Sequence, residues 1–270
     1  MKNNLNQLNF LNKDFESNSK DKNNHDTSSF KTNNQKSMIE KQQNKFNTIL
    51  ILDTETSGLD EHKNEIIEVG CILFHLASKS VLSQLSFLLP VNENEAQFVN
   101  GIDPVITKIS QPWEESINLF MKLVESSDLI IAHNAEFDKK WFGKGRLPKI
   151  NKKWVCSLED INWSFKKSLK MRPSVTDLAL SFDIPVWKLH RALSDCFYLS
   201  EVFKKCVNLE EMLIKASVPR SLYKAIVSYE DRALAKKAGF LWNGPVNGAW
   251  ARKLTEEELI ELDFKVERIS

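Results

Sequence analysis

Two carboxylates, Asp53 and Glu55, directly follow an apolar run at residues 49–52 and precede a Thr-Ser-Gly turn. Four consecutive branched aliphatic residues predict a strand that is buried on both faces. Because side chains alternate along a strand, both acids point to the same side of it. Like charges at the end of a buried strand repel each other and are costly to desolvate. The pair indicates either a site for a hard divalent cation or an acidic strand end that leads into a solvated turn.

Two further aspartates occur on predicted elements that could bring them near this pair. Asp138 follows a second apolar run at 129–132 and lies in the first turns of a predicted helix at 135–142. Asp195 lies on a predicted helix at 192–206 and shares the side of the helix that carries its apolar residues. A lone inward aspartate is costly without a cation or hydrogen-bond donors. Ligand sites are commonly built at the strand ends of α/β sheets, so these acids favour a metal site.

The periodicity of the chain predicts a mixed α/β sheet that is covered by helices on both faces. Strands are predicted over 48–55, 65–74, 81–89 and 129–132, and helices over 110–124, 135–142, 174–182 and 192–206. The short link at 77–79 indicates an antiparallel hairpin. Asp103 precedes a proline and is predicted to be the N-cap of a helix.

After about residue 212 the pattern changes, and Val218-Pro219 marks a boundary. The last stretch, 213–270, is predicted to form a small accessory α+β module of about 50 residues, which is expected to dock on the main domain. Its predicted elements are a strand at 223–228, a helix at 230–238, a hairpin at 240–252, a helix that begins at Thr255 and a strand at 264–269. Trp242 and Trp250 are expected to face each other across the hairpin.

Residues 1–46 are low in complexity, since 28 of these 46 residues are Asn, Lys, Ser or Gln. With few apolar side chains to bury, this tail is predicted to be disordered. Its one apolar cluster, at 7–11, is interpreted either as a short docking motif, for example for a sliding clamp, or as the result of random sequence drift in an Asn/Lys-rich tail.

The composition of the 270-residue chain excludes several classes of protein. The formal net charge of +1 indicates no particular class of partner. None of the four cysteines forms a Cys-x-x-Cys pair, so neither a zinc site nor a redox dithiol is predicted. No apolar run approaches the ~20 residues needed to span a bilayer, and no signal peptide is recognised. A soluble cytoplasmic protein with reduced thiols is expected.

Four sequence blocks carry a resemblance to a known family. In chain order they are LDTETSGL at 52–59, IIEVG at 66–70, HNAEFD at 133–138 and HRALSD at 190–195. This order resembles the motifs of DEDDh-type 3′–5′ exonucleases of the DNA polymerase III epsilon-like branch, in the ribonuclease H-like superfamily. The resemblance covers about residues 47–206 and implies a mixed five-stranded sheet with helices on both faces, in which the strand at 48–55 is central. The predicted domains are thus a tail at 1–46, an exonuclease domain at 47–212 and the accessory module at 213–270.

The resemblance also implies a set of catalytic residues and two metal ions. Asp53, Glu55 and Asp195 are expected to hold one Mg²⁺ or Mn²⁺ ion. Asp53 is expected to bridge to a second ion, with Asp138 acting through its waters. Two ions ~3.5–4 Å apart can activate a water and stabilise the leaving 3′ oxygen. His190 is expected to accept the proton of that water, since an imidazole that titrates near ~6.5 can act as a base at neutral pH.

Three further residues are candidates for binding the substrate. Thr56 matches the family position whose backbone approaches the terminal nucleotide. Ile102 lies in a segment, 100–103, where the family often has His-Gly-Ile-Thr, and its apolar side chain is expected to pack on the terminal sugar or base. Asn134 either caps the helix that follows it or contacts the substrate, and the cap is the favoured interpretation.

A basic stretch from Lys139 to Arg172 contains 11 lysines and arginines and only two acids. Aromatic side chains are interleaved with these charges: Trp141, Phe142, Trp154, Trp163 and Phe165. This combination favours either a surface that binds a single-stranded 3′ end or a solvated loop with aromatic side chains in the core.

The function expected from the sequence is metal-dependent 3′–5′ hydrolysis of single-stranded or mispaired DNA ends, with release of nucleoside 5′-monophosphates. Proofreading or repair, and association with a DNA polymerase or a sliding clamp, would fit this activity. Two alternatives stay open, namely an exoribonuclease that trims RNA 3′ ends and a non-catalytic module that binds nucleic acid or a polymerase. The four acids and His190 argue against a non-catalytic module, because a scaffold has no need for clustered charges.

Overall fold

The computed structural model describes residues 46–166, 169–170 and 172–269. The predicted disordered tail and its apolar cluster at 7–11 lie outside these residues, apart from Phe46. All four cysteines lie within the described ranges, where each is a buried free thiol. Of the helices that the structure describes, none has the length and apolar character that a membrane span requires.

The main sheet contains β1 (Thr48–Thr56), β2 (Ile66–His75), β3 (Ser80–Leu88), β4 (Leu129–Ala132) and β5 (Trp154–Cys156). Their order in the sheet is β3-β2-β1-β4-β5, so the strand predicted to be central is central. The first three strands are antiparallel neighbours, whereas β4 runs parallel to β1 and β5 runs parallel to β4. The predicted mixed α/β fold is confirmed. The apolar pattern does not predict β5, because a strand of three residues is too short to show a period.

The helices around this sheet are α1 (Gln97–Asn100), α2 (Pro104–Thr107), α3 (Trp113–Glu125), α4 (Ala135–Lys139), α5 (Val175–Ser181), α6 (Ala192–Lys205) and α7 (Leu209–Ala216). Asp103 caps α2 as predicted, because its side chain accepts a hydrogen bond from the N–H of Val105. The helix predicted at 135–142 is shorter than expected. The predicted domain end at residue 212 falls inside α7, whose Leu213 and Ala216 side chains are buried in the core under the sheet.

The side chains of β1 alternate between two separate hydrophobic cores, one on each face of the sheet. Ile49 and Ile51 are buried with residues of α5, α6 and α7 on one face of the sheet. Leu50 and Leu52 are buried with residues of α3 on the other face. Because the period of a strand is two, the next side chains on the first face belong to positions 53 and 55. The sequence of β1 thus aims both acids toward α6.

The C-terminal residues form a second sheet of four strands, which are β6 (Ser221–Ile226), β7 (Leu241–Trp242), β8 (Trp250–Leu254) and β9 (Lys265–Arg268). Their order is β7-β8-β6-β9, and α8 (Arg232–Lys237) and α9 (Glu256–Ile260) complete this module. Thr255 begins α9 with a capping box, as its sequence predicts. The rings of Trp242 and Trp250 lie 5.8 Å apart across the β7–β8 pair, also as predicted.

Polar contacts join this module to the edge of the main sheet where β4 and β5 end. Arg220 pairs with Asp160 at 3.3 Å, and Lys253 pairs with Glu136 of α4, also at 3.3 Å. The Asp160 carboxylate in turn accepts a hydrogen bond from the backbone N–H of Cys156, at the end of β5. The accessory module therefore contacts the loop and the helix that follow two of the parallel strands.

Candidate active site

Three carboxylates converge at the end of β1. One oxygen from each of Asp53, Glu55 and Asp195 lies within 4.8 Å of the other two. The first two acids share a face of β1, and Asp195 reaches them from the first turn of α6. This arrangement follows from the alternation of the strand and from the contact of α6 with β1 and β2. The pair that could have been a solvated strand end is instead part of a three-carboxylate cluster.

Asp138 is the fourth acid of the site and is 2% exposed. It lies on α4, directly after the end of β4, which is parallel to β1. Its Oδ1 accepts a hydrogen bond of 2.8 Å from the hydroxyl of Thr54. Thr54 points away from Asp53 and Glu55, so Asp138 is held on the other side of the strand end.

Burial disfavours the charged form of all four acids, and repulsion within the cluster adds to this effect at Asp53 and Glu55. Burial, followed by the charges of Asp138 and Asp195, raises the pKa of Asp53 well above its ordinary value. Burial is also the largest cause that raises the pKa of Glu55 to about 8 and that of Asp195 to about 6. Burial raises the pKa of Asp138 to about 7, against the opposing effect of its hydrogen bond from Thr54. Without a bound cation, these acids therefore keep their protons to a higher pH than ordinary carboxyls do.

The residues present fit a divalent cation. Oδ1 of Asp195 is buried and has no hydrogen-bond partner among the described residues. Carboxylate oxygens are the ligands that Mg²⁺ and Mn²⁺ prefer, and Asp53 and Glu55 direct theirs to the same point. A cation there would give Asp195 Oδ1 a partner and would favour the charged form of these acids, which burial disfavours.

His190 directly precedes the N-terminal end of α6, the helix that carries Asp195. It adopts a φ of 57°, in the left-handed region, and lies two residues before the first residue of α6. Its side chain is exposed, while its charge and its backbone both lower the pKa of Asp195. A left-handed backbone is uncommon for a residue other than glycine, and such strain is often found where function requires it. His190 thus lies at the solvent side of the carboxylate cluster.

Comparison with known proteins identifies the family. A family model described as "Exonuclease" matches residues 50–203, which is more than half of the chain and includes all five of these residues. The chain belongs to the exonuclease family. The prediction of an exonuclease, and thus of an enzyme, is thereby confirmed. A second family model, described as a domain of unknown function, matches residues 221–269.

Similar proteins include replication proteins of bacteria. The DNA polymerase III subunit epsilon of Rickettsia prowazekii is 32% identical over 168 residues, which is 57% of this exonuclease and 71% of that protein. The PolC-type DNA polymerase III of Thermotoga petrophila is 27% identical over 186 residues, but this exonuclease spans only 12% of its length. A solved 3′-exonuclease that recognises the histone mRNA stem-loop has a TM-score of 0.50 at 13% identity, covering 62% of this chain and 84% of that one. At that identity the likeness extends to the fold alone.

The structure changes the interpretation of two of the three predicted substrate residues. Ile102 of the exonuclease is 1% exposed and packs against Ile67 and Val91, so its side chain faces the core in this conformation. The favoured cap at Asn134 is wrong, because its side chain accepts no hydrogen bond from α4 and its φ is 71°. Asn134 is exposed, as a substrate contact requires.

Thr56 is buried at the end of β1, and its hydroxyl donates a hydrogen bond to the carbonyl of Gly58. Its own carbonyl accepts a hydrogen bond of 3.2 Å from the side chain of Asn100. The same amide accepts a hydrogen bond from the N–H of Ile102. Asn100 therefore ties the segment after α1 to the strand end that carries the acids.

The described residues of the basic stretch from Lys139 to Arg172 include buried aromatic side chains and basic side chains that have partners within the protein. Trp141, Phe142 and Trp163 are buried, and of the five interleaved aromatic residues Phe165 alone is mainly exposed, at 53%. Lys140 donates to the carbonyl of Leu59 and pairs with Glu61 at 3.1 Å. The alternative of core aromatic residues within a charged loop is the better description. The sequence could not distinguish the two because the partners of these lysines are distant in the chain.

Sequence reasoning missed two features next to the acids. Phe98 on α1 is 90% exposed, and Val105 on α2 is also exposed, so apolar side chains flank the segment that Asn100 ties to β1. Glu68, inside the second sequence block, is buried and pairs with Arg191, the residue after His190. A buried glutamate in an otherwise apolar strand is the signal that could have indicated this ion pair.

Proposed function

We propose that this exonuclease removes nucleotides from the 3′ end of single-stranded or mispaired DNA and releases nucleoside 5′-monophosphates. The observation that carries the proposal is the convergence of Asp53, Glu55 and Asp195 beside an exposed histidine. Three carboxylates held this close by a strand and a helix are poorly suited to any role without a cation. Family membership supplies the class of reaction, and the details of substrate and metal are part of the proposal.

The metal centre is proposed to hold two ions, Mg²⁺ or Mn²⁺. Asp53, Glu55 and Asp195 would bind one ion, and Asp53 would also bind the second, to which Asp138 would contribute through water. When bound, such ions would polarise the scissile phosphate and stabilise the charge that develops on the leaving 3′ oxygen. Thr54 would hold Asp138 in its ionised form, because a hydrogen bond to a carboxylate favours the charged state.

His190 is proposed to be the general base. It would accept a proton from the water that attacks the terminal phosphodiester, as a bond from water oxygen to phosphorus forms and the bond to the 3′ oxygen breaks. The freed chain ends in a new 3′ hydroxyl, and the nucleotide leaves as a 5′-monophosphate. The exposure of His190 supports this role, because the imidazole must lose its proton to solvent before the next cycle.

The terminal nucleotide is proposed to lie between the acids and the apolar side chains of α1 and α2. The backbone at Thr56 and the exposed side chain of Asn134 would contact this nucleotide. Ile102 would anchor the segment 100–103 to the core, where it packs against Ile67 and Val91. Phe98 offers an exposed ring for stacking on a base, a contact that tolerates any sequence. The names of the bacterial relatives, which are DNA polymerase III proteins, favour DNA over RNA.

The proposed organisation has three parts, namely the tail at 1–46, the exonuclease domain and the accessory module. Because α7 packs in the core of the main domain, the boundary is proposed to follow Ala216, a few residues later than the sequence suggests. The separate family match at 221–269 supports a module of its own. Association with a DNA polymerase or a sliding clamp is proposed from the relatives alone.

Oligonucleotides labelled at the 5′ end test this function. The purified protein should shorten single-stranded and mispaired DNA stepwise from the 3′ end with Mg²⁺ or Mn²⁺, and EDTA should stop the reaction. Chromatography should identify nucleoside 5′-monophosphates as products. Asp53→Asn should abolish the activity while the variant stays folded. Faster degradation of RNA than of DNA would replace the proposed substrate, and metal-independent activity equal in wild type and Asp53→Asn would overturn the proposal.

A further inference from the structure

Glu68 is a buried carboxylate that none of the proposed catalytic steps uses. It lies on β2 with 1% of its surface exposed. Its two oxygens accept hydrogen bonds from Nε and Nη2 of Arg191, both at 2.8 Å, in a bidentate pair. Oε2 also accepts the backbone N–H of Ala192 at 3.2 Å, and Oε1 accepts the hydroxyl of Ser86 at 2.8 Å. Every oxygen of this carboxylate therefore has two donors.

The register of the sheet puts Glu68 directly opposite Glu55 on the neighbouring strand. Like charges in such a cross-strand pair are unfavourable unless a cation compensates them. Arg191 supplies that charge, since its guanidinium pairs with Glu68. One guanidinium thus connects the ladder of β1 and β2 to the start of α6.

A second contact holds the same turn of α6. A Cβ atom placed on Gly70, two residues after Glu68, would lie 2.3 Å from the backbone N of Leu193 and 2.4 Å from the carbonyl carbon of Ala192. These are backbone atoms, so no side-chain rearrangement could relieve the overlap. The first turn of α6 therefore packs directly on the backbone of β2, and the bond from Ala192 to Glu68 fixes its rotation.

We propose that Glu68 and Arg191 are positioning residues that set where His190 and Asp195 stand relative to β1. The inference rests on the proposed function, because it concerns the base and a metal ligand of that reaction. A buried ion pair is weak evidence for stability, since its desolvation offsets most of the attraction. A bidentate pair has a fixed geometry, however, and here it joins the strand opposite Glu55 to the residue between His190 and α6.

Three variants and their combination test the pair. Glu68→Gln and Arg191→Gln should each lower kcat at saturating Mn²⁺ by about 10–100-fold, the usual effect of losing a group that orients a metal ligand. The double variant should be no worse than the poorer single variant, because the residues act as one unit. Arg191→Lys should restore only part of the loss, because an ammonium cannot make the two parallel bonds. Glu201→Gln, which breaks the ion pair with Lys204 on the same helix, should keep wild-type activity.

Amide hydrogen exchange provides a readout that does not depend on activity. In Glu68→Gln, amides of residues 190–196 should exchange at least about 10-fold faster than in wild type, while those of α3 keep their rates. Unchanged exchange at 190–196, or additive losses of kcat in the double variant, would overturn the proposal. An inactive wild-type protein would refute the proposed nuclease function instead. The exchange rates and the Mn²⁺ affinity measured by calorimetry would then still decide whether the pair fixes this turn.

Discussion

Thr54 donates a hydrogen bond of 2.8 Å to Oδ1 of Asp138, although the two residues lie 84 positions apart in the chain. Thr54 is the one residue between the two acids of β1, and its side chain points to the opposite face from theirs. One strand end therefore presents two carboxylates on one side and the partner of a third on the other. This relationship explains how four acids surround a single strand terminus.

Removing this hydroxyl should impair the reaction. Thr54→Val keeps the shape of the side chain but removes the donor, so the pKa of Asp138 should rise further from its raised value of about 7. We expect kcat/KM at pH 7.5 and saturating Mn²⁺ to fall about 10-fold, which corresponds to a hydrogen bond to a charged group. The loss should shrink as the pH is raised, because a higher pH restores the ionised carboxylate.

Thr48 provides the control for this variant. Its hydroxyl donates to the carbonyl of Ser126 at the opposite end of β1, so Thr48→Val makes the same change far from the acids. It should leave kcat/KM unchanged. Equal losses in both variants would show that strand integrity, and not the bond to Asp138, accounts for the effect.

The stability of the metal-free protein should fall as the pH rises. In the unfolded chain these carboxyls titrate near ~4, whereas folding raises the pKa values of Asp195, Asp138 and Glu55 to about 6, 7 and 8. The folded state binds more protons than the unfolded chain between these limits. The contribution of these three groups to the free energy of unfolding is therefore fully present below about pH 4 and is lost progressively up to about pH 8. In EDTA, urea unfolding should give a free energy at least about 2 kcal/mol lower at pH 8 than at pH 5.

Two comparisons identify the acids as the source of this loss. Mn²⁺ added at pH 8 should restore stability in wild type, because it binds the folded state. Asp53→Asn should be more stable than wild type in EDTA at pH 8 and should gain little from Mn²⁺. A flat pH profile would mean that folding does not raise the pKa values of these carboxylates. An equal gain from Mn²⁺ in both proteins would mean that Asp53 does not help to hold the ion.

Substitution of the histidine should separate chemistry from metal binding. His190→Gln should lower kcat about 10²–10⁴-fold, the usual range for a general base, while calorimetry shows wild-type affinity for Mn²⁺. His62 is exposed and lies on the loop after β1, so His62→Gln serves as the control and should keep full activity. A loss below about threefold in His190→Gln would remove this residue from the role of base.

The exposed ring on α1 should contribute to substrate binding. Phe98→Ala should raise KM for a single-stranded oligonucleotide about 10-fold, because base stacking on an aromatic ring is worth ~1–3 kcal/mol. Its melting temperature should not change, since the side chain is 90% exposed. Ile260→Ala, on the equally exposed surface of α9, is the matched control and should leave KM unchanged. A drop in melting temperature without a change in KM would assign the ring a structural role.

The sequence predicts those parts of the site that depend on local order. Alternation along β1 puts Asp53 and Glu55 on one face, and helical spacing turns Asp195 inward, so both follow from short-range rules. The proximity of Asp138 and His190 was expected from the order of the motifs. The structure brings these residues to one end of one strand, as a metal site at that edge requires.

The parts that were missed depend on contacts between distant residues. Glu68 and Arg191 are 123 positions apart, and their pairing requires the register of two strands and the docking of a helix. The burial of Ile102 depends on how the segment after β3 folds back on the sheet, which no local pattern specifies. Lys140, Lys152 and Lys166 of the basic stretch bind backbone carbonyls elsewhere in the chain, so these lysines are less free to bind a phosphate than the sequence suggests.

The position of β1 also bears on how this site forms during folding. Ile49 pairs with Phe74 on the neighbouring antiparallel strand and with Leu129 on the parallel strand, which comes much later in the chain. Asp195 lies on α6, which is later still in the chain. Contacts of such long range form slowly and late. A nascent chain would therefore carry its first two acids long before it could cleave anything. Nuclease activity should appear in one step, once the residues through α6 have been synthesised and docked.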